Sequence, residues 1–165
     1  MPRVRSGMRR TPVRQRRKLV WASHVFNLAA GAGLVINTDL LADFKTGGAS
    51  ILGCTVMRIH ASFFVKYANL ADFTQLGICI GRQGDITTGT SPNPATNPEI
   101  DWMLNRYLLA TASGAAVDAQ RVIEIDLRSK RKIDELNQAL VMVFTNGNAA
   151  GNTYFGFART LLALP

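Results

Sequence analysis

Ser23-His24 and His60 near Ser62 set a hydroxyl close to an imidazole, which is the raw material of acyl transfer. Each pair lacks an acid nearby in the sequence, and adjacent residues on a strand point to opposite faces. His60 therefore reads as a surface residue on a strand. Asp39 and Asp43 stand four apart, the spacing of one helix face, and a solvated face is the reading that fits them. GAG at 31–33 has no third glycine at dinucleotide-binding spacing and no amphipathic helix after it, and no Walker sequence occurs. Cys54 and Cys79 are too few for a disulfide framework. They read as small buried thiols, with a bridge between neighbouring strands as the alternative. There is no CxxC or HxxxH spacing, so no metal or other cofactor is expected, and no enzyme activity.

The chemistry that is concentrated is electrostatic. The formal net charge is +8, from 19 Lys and Arg against 11 Asp and Glu. Eight of the cations precede Leu19: Arg3, Arg5, Arg9, Arg10, Arg14, Arg16, Arg17 and Lys18, with no acid among them. That leaves 11 cations against 11 acids, so the rest of the chain is neutral. A block of like charge repels itself and serves as an interaction tail. Seven of the eight are arginine, whose planar fork grips phosphate bidentately and sheds water readily. Gly7, Pro2 and Pro12 favour an extended path. No aromatic precedes Trp21, so nothing in this arm reads bases. Binding to nucleic acid would be non-specific, with a log–log salt slope of roughly −6 if all eight charges met single-stranded phosphate. The other partner that fits is the acidic surface of a neighbouring protein subunit.

A second charged run, RSKRKIDELNQ (128–138), places Arg128, Lys130, Arg131 and Lys132 ahead of Asp134 and Glu135. It reads as a solvated turn or helical corner whose charges neutralise one another. The functional alternative is a subunit contact, with the bases of one copy meeting the acids of the next.

The elements that must position these groups are mostly strands. TVMRIHASFFVKY (55–67) alternates Met57, Ile59, Ala61, Phe63 and Val65 with Arg58, His60, Ser62 and Lys66, the period of a half-buried strand. DFTQLGICIGR (72–82) sets Leu76, Ile78 and Ile80 against Gln75, Gly77, Cys79 and Gly81, and YANLAD between the two runs suggests a hairpin. A first strand covers KLVWASHVFNLAAGAG and ends at Gly31 and Gly33. Thr38 is placed to cap a short helix carrying Leu40, Leu41 and Phe44, ended by Gly47 and Gly48. QGDITTGTSPNPATNP (83–98) holds three of the six prolines and cannot be a regular element. A loop of this length is functional or meets a partner. Asn97-Pro98, followed by Glu99 and Asp101, has the pattern of a helix start running to Leu104. RYLLATA, RVIEIDLR, QALVMVFTN and TYFGFARTLLAL supply further strands, with a turn at NGNAAGN. Seven or eight strands with one or two short helices suggest an all-β fold, an antiparallel β-sandwich or barrel, behind an extended basic arm. The division is an arm over 1–18 and one β domain over 19–165.

No apolar run reaches the ~18 residues of a membrane span, so no membrane partner is expected. The basic N-terminus is not followed by the apolar stretch of a secretory signal, and Pro2 and Pro12 work against the amphipathic helix of a transit peptide.

An Arg-rich arm ahead of a neutral all-β body resembles the single jelly-roll capsid proteins of small icosahedral viruses. DWMLNR (101–106), EIDLRSKRKIDELNQ (124–138) and ARTLLALP (158–165) are similar to phrases of small virion proteins in phage and environmental viral sequences. The resemblance implies a homo-oligomeric shell within a virion, with the arm facing inward on the viral genome. A head-decoration or cement protein, its arm laid on acidic shell protein, is the alternative it leaves. A non-specific nucleic-acid-binding β-barrel is a further one. Such a barrel needs exposed aromatics and cations on one sheet face. Phe64 beside Arg58, His60 and Lys66 is the only sign of that face in the sequence. LLALP at the C-terminus reads either as a subunit contact or as a last core strand.

Overall fold

The computed structural model describes residues 17–29, 35–67, 73–86, 92–109, 120–146 and 152–165. The chain order is β1 (Leu19–Ala29), β2 (Val35–Asp39), α1 (Ala42–Thr46), β3 (Thr55–Lys66), β4 (Phe73–Arg82), β5 (Asp101–Leu109), β6 (Gln120–Lys132), β7 (Gln138–Asn146) and β8 (Thr153–Ala163). They form two four-stranded antiparallel sheets, ordered β1-β8-β3-β6 and β2-β7-β4-β5. Sequence neighbours cross from one sheet to the other everywhere except at β4 and β5, which pair directly. This is the arrangement of a jelly-roll sandwich, in which two Greek keys roll up together. It is not a closed barrel, so the barrel alternative does not describe this chain.

The expected β3–β4 hairpin is therefore wrong: β3 pairs with β6 and β8, and β4 with β5 and β7. Strand β3 alternates as expected, while β4 is buried on both faces from Thr74 to Gly81; in either case the pattern carries no information about the partner strand. The side chains Ile59, Ala61, Phe63 and Val65 do face the core. Met57 does not, because a bulge between Val56 and Arg58 makes it the extra residue against β8. Val56 takes its place and is fully buried.

The core is ring-rich. Phe63 meets Phe144 edge-on at 5.4 Å, Phe144 stacks on Tyr154 at 4.1 Å, and Phe26 leans on both Phe63 and Phe144. Gly156 on β8 makes room for this packing: a Cβ there would lie 2.3 Å from the Ser62 carbonyl oxygen and from Phe63 Cβ. One buried polar cluster joins the two sheets. The Tyr154 hydroxyl bonds Thr74 Oγ1 at 2.7 Å and donates to Asn146 Oδ1, while Asn152 Nδ2 donates to both Thr74 and Asn146 at 3.3 Å. Asn146 Nδ2 has no partner in the cluster, but the bonds that are made favour one arrangement, because each is lost if the strands shift.

Two expected helices change. Thr38 belongs to strand β2 and caps nothing; it is the Asp39 carboxylate that accepts from the Leu41 amide, at 2.9 Å, ahead of the short α1. Gly48 closes that helix with φ of +79°, a conformation that favours glycine. Asn97-Pro98 starts a turn and no helix: the Ile100 amide donates to the Asn97 carbonyl at 3.2 Å, and the chain enters β5 at Asp101. Asn and Pro serve turns as well as helix starts, and pairing with β4 decides the outcome. Residues 128–132 likewise continue β6 instead of forming a corner. The ends of the expected first strand at Gly31 and Gly33, and the expected NGNAAGN turn apart from Asn146 and Asn152, lie outside the described residues. Leu162 and Ala163 are buried, so LLALP is the last core strand.

Candidate nucleic-acid and subunit interface

Arg3, Arg5, Arg9, Arg10, Arg14 and Arg16 lie outside the described residues. Arg17 and Lys18 are described, and both are exposed. Arg17 Nη1 donates to Thr55 Oγ1 at 3.3 Å, and the Leu164 amide donates to the Lys18 carbonyl at 2.8 Å. The junction of arm and body is thus held against β3 and the end of β8, at a corner of the first sheet.

In the second charged run, Arg128 lies on the outer face of β6, in register with Arg58 of β3. Arg131 pairs with Asp101 at 3.4 Å, Lys132 with Asp134 at 2.5 Å, and Glu135 with Arg82 at 2.7 Å. Lys130 is exposed. The Arg82 fork holds the Glu135 carboxyl below its ordinary pKa, chiefly through its hydrogen bonds. The six residues of this run do share one stretch of surface, but Asp134 and Glu135 already have cations of their own chain. The Asp39–Asp43 pair is not a helix face either: Asp39 binds Lys45 at 2.6 Å, and Asp43 binds His24.

That last contact supplies the acid the sequence did not offer. His24 sits between Asp43 Oδ2, 2.9 Å from Nδ1, and Thr38 Oγ1, 3.0 Å from Nε2. The order of hydroxyl, imidazole and carboxylate is that of a nucleophilic triad. A triad also needs a cleft that holds substrate at the hydroxyl. Neither the cleft of about 280 Å³ between β5 and β6 nor the one of about 240 Å³ around Lys45, Leu52 and Leu136 is lined by Thr38 or His24. The trio ties β1 to β2 and α1 across the edge of the sandwich. Cys54 and Cys79 are free and buried, and unpaired with each other. Among the described residues no group of three or more His, Cys, Asp or Glu could hold a metal ion, and no helix is long and apolar enough to cross a membrane.

The larger omission of the sequence reading is on the outer face of the first sheet. Register places Asn27, Phe155, Phe64 and Val122 side by side in one row across the four strands. The next rows run Val25, Phe157, Ser62, Glu124; then Ser23, Arg159, His60, Asp126; then Trp21, Leu161, Arg58, Arg128. Phe64, seen in the sequence as one isolated ring, is one of four: Trp21 is 43% exposed, Phe64 49%, Phe155 54% and Phe157 40%. Arg159 lies over the Trp21 ring at 5.1 Å from its centre, and His60 is 6.3 Å from Phe157. Arg58 grips Asp126 with both arms of its fork, at 2.6 and 2.5 Å, and those bonds hold the Asp126 carboxyl below its ordinary pKa. Alternation in TYFGFART was a usable signal. It marks two faces but does not say that the inner one takes Tyr154 and Ala158 and leaves Phe155 and Phe157 outside.

No protein-family model matches the sequence, and no curated protein matches it. Solved virus structures do align along nearly the whole chain. A structure of Desmodium yellow mottle tymovirus covers 100% of this chain and 92% of its own, at 9% identity and a TM-score of 0.38. One of turnip yellow mosaic virus covers 99% and 92%, at 10% identity and a TM-score of 0.34. The Gx strain of infectious bursal disease virus covers 98% of this chain and 36% of its own, at 9% identity and a TM-score of 0.37. At this level of similarity no partner or activity transfers to this chain.

Proposed function

We propose that this chain is a structural virion protein: a self-associating jelly-roll shell subunit, 19–165, whose basic arm, 1–18, contacts genome or neighbouring subunits. The observation that carries this reading is the segregation of charge. All of the net +8 lies ahead of a neutral sandwich, and the arm joins that sandwich at a hydrogen-bonded corner. The interior is filled with packed side chains, rings among them. Function then resides in surfaces, and a shell repeats such surfaces by symmetry. The charged run at 128–135 is a candidate for one of them, with Arg128 and Lys130 available to a neighbour and Arg131, Lys132, Asp134 and Glu135 able to exchange their partners.

The test is size-exclusion chromatography with light scattering and a 260/280 nm absorbance ratio, on the full chain and on a chain lacking residues 1–16. Stopping at 16 keeps the contacts of Arg17 and Lys18. The expected result is large, nucleic-acid-loaded particles from the full chain and empty or small ones from the shortened chain. Small, discrete oligomers free of nucleic acid from both would overturn the shell reading. A decoration role, with the arm on acidic shell protein, would then be the better account.

A further inference from the structure

We propose that the outer face of the first sheet is a second nucleic-acid contact, which takes unpaired bases by stacking them on Phe64, Phe155, Phe157 and Trp21. It deepens the genome-contact part of the proposed function but does not require that a shell forms. Phe64 on β3 and Phe155 and Phe157 on β8 fall in adjacent rows, and register makes them one platform, while Trp21 on β1 stands two rows beyond Phe157, under Arg159. Strands about 4.8 Å apart, with outward residues about 6.7 Å apart along each, bring the rings within reach of successive bases. Any base offers a flat face to such a ring, so the contact is tolerant of sequence.

Cations are interleaved with the rings. Among the described residues, Arg58, Lys66, Arg128 and Arg159 share this face with two acids, Glu124 and Asp126. Asp126 is taken up by Arg58. Arg159 already lies over one ring, the position from which a guanidinium supports a stacked base as well as a phosphate. The arm enters at the corner of the same sheet, through Arg17 and Lys18. That corner is at the Trp21 end of the face, so a single strand held there would meet Trp21 first and the Phe155–Phe64 row last. The charge argues against other occupants. The chain's own Arg-rich arm would be repelled by a net cationic face. A second copy placed face to face would bring together two faces that each carry four cations against two acids among the described residues.

The test compares the full chain with full-chain variants carrying Phe64→Ala together with Phe155→Ala, or Phe157→Ala. Binding is measured by fluorescence anisotropy against a labelled oligothymidylate of about 16 nucleotides and a duplex of equal length, over a salt series. Stacking predicts that each variant loses single-strand affinity by about tenfold or more, while duplex affinity, which depends on the arm, changes by less than about twofold. The salt slope stays the same, since no cation is removed. Phe64→Tyr with Phe155→Tyr keeps the rings and restores binding, which a role in folding alone would not distinguish by strand type. Equal loss on both probes, or no loss on either, overturns the proposal. So does a change of oligomeric state in light scattering without loss of single-strand binding, which would make the face a contact between copies. If the full chain forms no particles and the ring variants still lose single-strand binding selectively, the shell reading fails and this one stands.

Discussion

The two sheets of this sandwich have outer faces of opposite character. The outer face of the second sheet is apolar and covered over its middle, with Tyr107 and Leu109 exposed at one end, whereas the outer face of the first mixes rings with charged residues. On the second sheet, Cys79, Ala139, Val141 and Val143 point outward and are buried under Ile86 and Ile100 of the Pro-rich segment between β4 and β5. Gln75 fastens that cover by donating to the Pro92 carbonyl at 2.9 Å. Gly77 permits its close approach, since a Cβ there would lie 2.5 Å from Pro92 and 2.6 Å from Trp102. On the first sheet the corresponding positions hold larger rings and remain open. A long loop in a compact domain was expected to be functional or to meet a partner. Its described part packs on its own chain, and among the described residues no such segment covers the ring-bearing face of the first sheet.

The largest effect expected concerns the sheet beneath the open face. Gly156→Ala forces a methyl group into backbone at 2.3 Å, and urea unfolding should show a loss of at least ~3 kcal/mol, or no soluble protein. Next is Ile100→Ala, which thins the cover of the second sheet. It should cost about 2–4 kcal/mol in the same experiment. A loss below ~1 kcal/mol would mean the cover is not packed as described.

Cys79 reports on the cover from beneath. Burial, with the charge of Asp101 second, pushes its pKa up from 9.0 to about 12. The folded state therefore keeps its proton when the unfolded chain has lost its own. Stability is intact below about pH 9 and falls by roughly 1 kcal/mol per pH unit up to about 12. That alkaline slope should be shallower in Cys79→Ala, and iodoacetamide at pH 8 should label Cys79 only in denaturant. The smallest effect belongs to the open face: Phe157→Ser should shift stability by no more than ~0.5 kcal/mol. A much larger loss would show that this ring is packed against something, and the contrast between the faces would fail.

Strand content was legible because alternation in 55–67, 120–128 and 153–162 is a local property. The arm was legible for a similar reason, since charge needs no fold to be counted. The helix at Asn97 and the cap at Thr38 were misread because Asn, Pro and Thr serve turns, caps and strand ends with the same side-chain chemistry, while the short helix through Phe44 forms as expected. The four-ring face was missed because Trp21, Phe64 and the Phe155/Phe157 pair are far apart in the chain.

By itself the sequence determined that this protein is a neutral, strand-rich body behind a cationic arm, since period and charge are written residue by residue. Only the tertiary structure decided which strands pair, which of two apolar faces is covered, and that His24 meets Asp43. Those outcomes depend on contacts between distant segments, and alternation at a period of two fits many pairings equally well until the core closes on one.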